Sequence, residues 1–142
     1  EIGKILGIDR QHNLIVIGAG NLGNALTNYT NFEKRGFVIK AMFDVNPDVI
    51  GKEVRKVKVY SLDKLEEYIS KNQIQIAVLS IPKNEAISVA KRLINAGIKA
   101  ILNFAHTDLE VPEDVIVENV HLSDFLMRLS YRVSSLVDKH EE

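Results

Sequence analysis

The chain has 142 residues, 46% of them hydrophobic and 26% charged, with three prolines and no cysteine or tryptophan. This balance suits one globular domain and excludes disulfides, thiolate metal sites and a cysteine nucleophile. A net charge of −1 leaves no excess of Lys and Arg with which this segment alone would hold nucleic acid, and no apolar run approaches the roughly 18 residues of a membrane span, so a cytoplasmic location is expected.

In chain order, Ile2, Ile5 and Leu6 fall on one helical face, and residues 1–12 are expected to be the exit segment of a preceding domain. Leu14-Ile15-Val16-Ile17 is continuously apolar, as a parallel strand covered on both faces would be. Gly18-Ala19-Gly20-Asn21-Leu22-Gly23 follows and opens a helix carrying Leu22, Ala25, Leu26 and Tyr29. Val38 to Phe43 reads as the second strand, ending at Asp44, and Val57 to Tyr60 as a short third. Ser61 with Glu66 predicts a capped helix bearing Leu65, Tyr68 and Ile69. Further strands at Ile76 to Ile81, Ala100 to Leu102 and Val115 to Val117 enclose a helix from Glu85 to Ala96 that Gly97 stops. Strand and helix alternate throughout, which predicts an α/β doubly wound parallel sheet, the Rossmann fold, over residues 13–120. Leu122, Phe125, Leu126, Leu129, Val133, Leu136 and Val137 then mark a C-terminal dimerisation helix over 121–142, able to pack on its own domain or on a second subunit.

The three glycines have separate tasks in such a turn. Gly18 permits the bend off the strand, Gly20 lets backbone approach a pyrophosphate, and Gly23 lets helix and sheet lie close. The free N–H groups of the helix N-terminus then face the phosphates, bringing Ala19, Asn21 and Leu22 into the candidate site. Asp44 follows Gly23 by 21 residues at the end of the next strand, where a carboxylate accepts from both adenosine ribose hydroxyls. A 2′-phosphate would meet that charge, and Val45 and Asn46 bring no Arg to offset it, so NAD(H) is expected in preference to NADP(H). The competing reading is a turn whose glycines serve packing alone and whose Asp caps the following loop.

A catalytic set is not evident. Tyr60 and Lys64 have the spacing of a short-chain dehydrogenase pair, but Tyr60 ends a strand on the adenosine side, away from a nicotinamide. His12, His106, His121 and His140 lack metal-ligand spacing, and no metal site is expected. His106 and His121 do follow strand ends, on the side where ligands bind in such sheets. Ser80-Ile81-Pro82 and Asn103-Phe104 end the strands expected beside the glycine turn, and would frame a nicotinamide with apolar surface and one amide. Such a pocket favours neutral NADH over NAD⁺, because desolvating the cationic ring is costly. It would read redox state without performing chemistry.

Residues 17–26, Phe43-Asp44-Val45-Asn46-Pro47, Ile101-Leu102-Asn103-Phe104-Ala105 and Val111-Pro112-Glu113-Asp114-Val115 together resemble, in order, the cofactor domain of the Rex family of redox-sensing transcriptional repressors. The resemblance implies a non-enzymatic NAD(H)-binding domain within a homodimer, joined to a winged-helix domain that alone touches operator DNA. It further implies that the C-terminal helix is exchanged between subunits and that NADH closes the dimer and releases the operator. Tyr29 matches a family tyrosine involved in that closure. His121 departs from the family pattern, which has Asp before the last helix, in reach of the partner's tyrosine. Two other functions share this fold: the nucleotide domain of an NAD-dependent oxidoreductase, and a CoA-binding domain like that of succinyl-CoA ligases. Asp44 argues against CoA, whose ribose carries a 3′-phosphate.

Overall fold

In the computed structural model β1 (His12–Ile17) occupies the centre of a seven-stranded sheet with β2 (Phe37–Asp44), β3 (Glu53–Val54), β4 (Val57–Ser61), β5 (Ile76–Leu79), β6 (Ala100–Asn103) and β7 (Ile116–Asn119). The structure describes residues 11–28, 31–105 and 107–141, so the expected exit segment, apart from its last two residues, lies outside the described residues, as do Tyr29 and His106. The order is β3-β4-β2-β1-β5-β6-β7, parallel throughout except for the β3–β4 pair. The chain proceeds from β1 outward to one side through β2 and β4, then returns to start the other side with β5. The carboxyl ends of β1 and β5 are therefore the switch point, where ligands bind in open α/β sheets.

The helices are α1 (Asn21–Asn28), α2 (Asn31–Lys34), α3 (Leu65–Lys71), α4 (Lys83–Asn95) and α5 (Leu122–Glu141). Alternate residues of the central strands point to opposite faces, and both faces are apolar. Ile15, Ile17, Ala77, Leu79 and Ile101 pack with Leu65 and Ile69 of α3 and with Ala86, Val89, Ala90 and Leu93 of α4. Leu14, Val16, Met42, Val59 and Val78 form the second cluster, with Leu26 of α1 against it. This two-sided burial is why the β1 run reads as unbroken rather than alternating.

Some local expectations shift. The charged stretch 52–58 is largely exposed, as its charges suggest, and also holds the turn of the β3–β4 hairpin, made by Arg55 at φ 50° and Lys56 at φ 68°. Two consecutive positive-φ residues normally call for Asn-Gly or Asp-Gly, so the turn carries no sequence signal. Ser61 does cap, but its hydroxyl accepts from the Asp63 N–H (3.3 Å) and starts a single 3₁₀ turn, Leu62–Lys64, ahead of α3. α4 begins two residues earlier than predicted, directly after Pro82, and Gly97 takes φ 105° just beyond its end as expected of a helix stop.

Glu66 is drawn instead to Arg92 of α4, whose Nε and Nη2 donate to its two carboxylate oxygens, both at 2.6 Å. The Arg92 hydrogen bonds hold the Glu66 carboxyl below its ordinary 4.5. A lowered folded pKa contributes stability above the unfolded value that is lost as pH falls through the folded one. Glu66 is half exposed, so the effect is no more than about 1 kcal/mol. Glu66→Gln is expected to give a shallower loss of unfolding free energy than the parent below about pH 5, measured by urea titration across a pH series.

The described side chains of α5 do not pack on its own domain. Every described side chain from Leu126 to Val137 is exposed, including Leu129, Val133, Leu136 and Val137 of the apolar stripe.

Candidate nucleotide-binding site

The glycine turn leaves the carboxyl end of β1 at the switch point. Gly18 takes φ 107° while its N–H donates to the Phe43 carbonyl (2.7 Å). A Cβ there would lie 2.5 Å from the Ser80 carbonyl oxygen. At Gly23 a Cβ would come within 2.0 Å of the Gly18 carbonyl oxygen, so α1 can sit this close to the turn only without a side chain. Gly20 is different. It is exposed, and a Cβ built on it meets nothing within 4 Å. The protein's own packing thus accounts for two of the three glycines, while the third leaves open space at the start of α1. Asn21, Leu22 and Gly23 form the first turn of α1, whose opening N–H groups have no intrahelical acceptor.

Asp44 closes the site on the β2 side. Its Oδ2 accepts from the Ala19 N–H (2.8 Å) and its Oδ1 from the Asn46 N–H (2.9 Å). The first bond, not foreseen from the sequence, ties the carboxylate to the glycine turn itself. An ionised carboxylate offers about four acceptor positions, so each oxygen keeps one for a further donor. Asn46 Oδ1 accepts from the Asp48 N–H (2.9 Å), which bends the chain away. Val45 beside it is 64% exposed, a large apolar side chain left next to the carboxylate.

The β5 and β6 ends act in three different ways. The Ser80 hydroxyl lies 2.9 Å from the Ile17 carbonyl and 3.1 Å from that of Gly18, so it fastens the glycine turn from the β5 side. Ile81 packs with the α3–α4 cluster and Phe104 with the α1 cluster, so the two flank the strand ends from opposite faces of the sheet. Pro82 is exposed at the start of α4. Asn103 departs from the expectation of an outward-facing amide. It is fully buried, its Nδ2 donates to the Thr107 carbonyl (3.0 Å) and to Asn119 Oδ1 (2.9 Å), and its Oδ1 accepts from the Ala105 N–H (3.0 Å). Both donors of the amide are consumed inside the protein.

His12 opens β1, at the opposite end of the strand from the glycine turn, with its ring stacked on Phe37 (centroids 5.6 Å apart). Tyr60 belongs to an aromatic cluster with Phe43 and Tyr68, and burial pushes the Tyr68 hydroxyl above its ordinary value. His121 is half-buried immediately before α5, and the His140 side chain lies outside the described residues. Among the described residues there is no group of three or more metal-ligating side chains and no helix long and apolar enough to cross a membrane.

An apolar groove of about 440 Å³ lies away from these strand ends, on the sheet face shared with α1. Leu14, Val16, Ile76, Val78 and Leu102 form its floor, and Ile116, 65% exposed, its β7 side.

A parallel sheet in this order, with a helix-opening glycine turn at its switch point and a carboxylate ending the neighbouring strand, defines a Rossmann-type nucleotide-binding domain. A family model described as "CoA binding domain" matches residues 9–107. The redox-sensing transcriptional repressor Rex of Caldanaerobacter subterraneus subsp. tengcongensis is 56% identical over 131 residues, 92% of this chain and 58% of that protein. The crystal structure of RSP, a Rex-family repressor, superposes with a TM-score of 0.88 at 51% identity, covering 99% of this chain and 68% of that one. RSP in complex with beta-NAD+ and operator DNA gives 0.86 over 65% of its chain. The chain belongs to the Rex family of redox-sensing repressors, whose members are regulators rather than enzymes, and it spans about three fifths of the curated relative's length.

Proposed function

We propose that this chain is the NAD(H)-sensing part of a cytoplasmic redox-responsive repressor. In this reading its Rossmann domain, residues 13–120, holds the dinucleotide, and 121–142 forms a helix exchanged between two subunits. The observation that carries the reading is the open side of Gly20, set between a helix N-terminus and a carboxylate with acceptor capacity to spare. The pyrophosphate would lie over Gly18, Ala19, Gly20, Asn21, Leu22 and Gly23, where backbone N–H groups and the helix dipole stabilise it without a basic side chain. Asp44 would accept from the ribose hydroxyls, with Val45 and Asn46 beside the adenosine. Ile81, Pro82 and Phe104 would supply apolar surface at the nicotinamide, while Ser80 and Asn103 hold the backbone that carries it. Tyr29 and His121 remain the candidates for ligand-linked contacts across the dimer.

The chain's own residues bind and orient. The cofactor, when present, supplies a ring whose charge differs between its redox states, and an apolar surround favours the neutral one. RSP has been crystallised in complex with beta-NADH and, separately, with beta-NAD+ and operator DNA. By extension, NADH binding here would close the dimer and release an operator held by a winged-helix domain preceding this segment. The CoA reading, suggested by the family model's description, is opposed by the charge of Asp44. Equilibrium titration with NADH, NAD⁺, NADPH and CoA separates these possibilities. NADH should bind tightest, and Asp44→Ala should weaken it about 10-fold while narrowing its margin over NADPH. Preference for CoA or NADPH by the parent would refute the assignment.

A further inference from the structure

Asn103 is the one fully buried polar side chain among the described residues, and nothing in a nucleotide-binding role requires it to be buried. Its three hydrogen bonds run in two directions. Ala105 N–H and Thr107 carbonyl belong to the loop that follows β6, which begins with Phe104. Asn119 Oδ1 belongs to the last residue of β7. The Val120 N–H donates to the Asn103 carbonyl (2.9 Å) beside the same link, and the Phe104 N–H anchors the start of the loop to β5 through the Leu79 carbonyl (2.9 Å). Only Val120 and His121 separate Asn119 from α5.

We infer that Asn103 is a positioning residue that couples the β6 loop to the C-terminal helix, so that a ligand pressing on Phe104 is registered at His121 and α5. A buried amide with all its donors used has one favourable orientation, since leaving a donor unpaired away from water is costly. Displacing the β6 loop must therefore either move the Asn103 side chain, and Asn119 with it, or break a bond on one side. The first outcome moves the segment that launches α5, and the second frees it when the bond that breaks is the one to Asn119. The coupling rests on the NAD(H) reading of the site, but the bonds exist in the free protein and can be tested without ligand.

Asn119 is exposed, so Asn119→Ala removes the β7 end of the link and leaves the Asn103 amide less firmly oriented toward the loop, while the core stays in place. Asn119→Asp keeps an acceptor for Asn103 Nδ2 and is the conservative control. The chain has no cysteine, so Ser135→Cys, on the side of α5 opposite the apolar stripe, gives a single site for a spin label, and one label per subunit reports the separation of the helices. The first measurement, without ligand, is hydrogen exchange: the Ala105 amide should exchange about 10-fold faster in Asn119→Ala than in the parent or in Asn119→Asp. The second is the NADH-induced change in the label-to-label distance. In Asn119→Ala it should fall below about a fifth of the parent's, with NADH affinity within about threefold, and it should return in Asn119→Asp. Unchanged exchange at Ala105, or an undiminished distance change in Asn119→Ala, overturns the link. No binding of NADH to the parent overturns the sensing assignment instead, and the exchange measurement then decides whether the mechanical link stands.

Discussion

Gly20→Ala is expected to fold with nearly unchanged stability and to lose about 100-fold in NADH affinity, whereas Gly23→Ala is expected to fold poorly or not at all. The contrast follows from what a Cβ would meet. At Gly23 it would be driven to 2.0 Å from the Gly18 carbonyl oxygen, which accepts from the Ser80 hydroxyl and belongs to a residue whose N–H donates to the Phe43 carbonyl. Only a shift of α1 off the sheet relieves that overlap, at a cost of about 3 kcal/mol or more. At Gly20 the same methyl enters open space, and because Gly20 precedes the first turn of α1, the loss is confined to a poorer helix cap, about 1 kcal/mol at most. The affinity loss arises because the methyl occupies the surface on which the pyrophosphate would rest. Thermal unfolding and NADH titration of both variants separate the binding role from the packing role. If Gly20→Ala binds as the parent does, the glycines serve only the fold, and the turn is an ordinary βαβ connection.

That distinction between the glycines is where sequence reasoning reaches its limit. Strand, glycine turn, helix and terminal Asp were legible because each leaves a strong local mark: an apolar run, a glycine triplet and a fixed spacing to a carboxylate. The two-faced core was equally readable, since strands buried on both sides lose their alternation. Asp44 was recognised for its charge, but its bond to the Ala19 N–H joins positions 25 residues apart and depends on the register of β1 against β2. Asn103 was expected at the ligand for the same reason that it was noticed, a polar residue at a strand end. Its burial depends on β7 pairing with β6 so that Asn103 faces Asn119, and nothing within residues 100–107 encodes that partner. The β3–β4 hairpin was hidden by a turn made of Arg55 and Lys56, where charge gave no hint of left-handed backbone. The C-terminal helix was legible as an amphipathic stripe, but a stripe does not name what covers it.

The largest effect on assembly is expected from that stripe: Leu129→Glu combined with Val133→Glu should convert a dimer to a monomer. Leu126, Leu129, Val133, Leu136 and Val137 are all at least half exposed, and the same chain carries an apolar groove of about 440 Å³ across β1, β5, β6 and β7. A soluble monomer seldom presents two such surfaces together. Exchange of α5 between two copies, as proposed, would cover both at once, and around a two-fold axis each substitution would act twice. Burying one Leu or Val side chain contributes about 1.5–3 kcal/mol, and placing a carboxylate in its position adds the cost of desolvating the charge. Sedimentation at about 10 μM should therefore detect monomers for the double variant, with a Tm several degrees lower because the groove is bared to water. Ser135→Glu adds the same kind of charge on the opposite side of the helix and should remain dimeric, which separates burial from charge repulsion. A double variant that stays dimeric would place the subunit contact elsewhere and leave α5 without a role in joining the two sites.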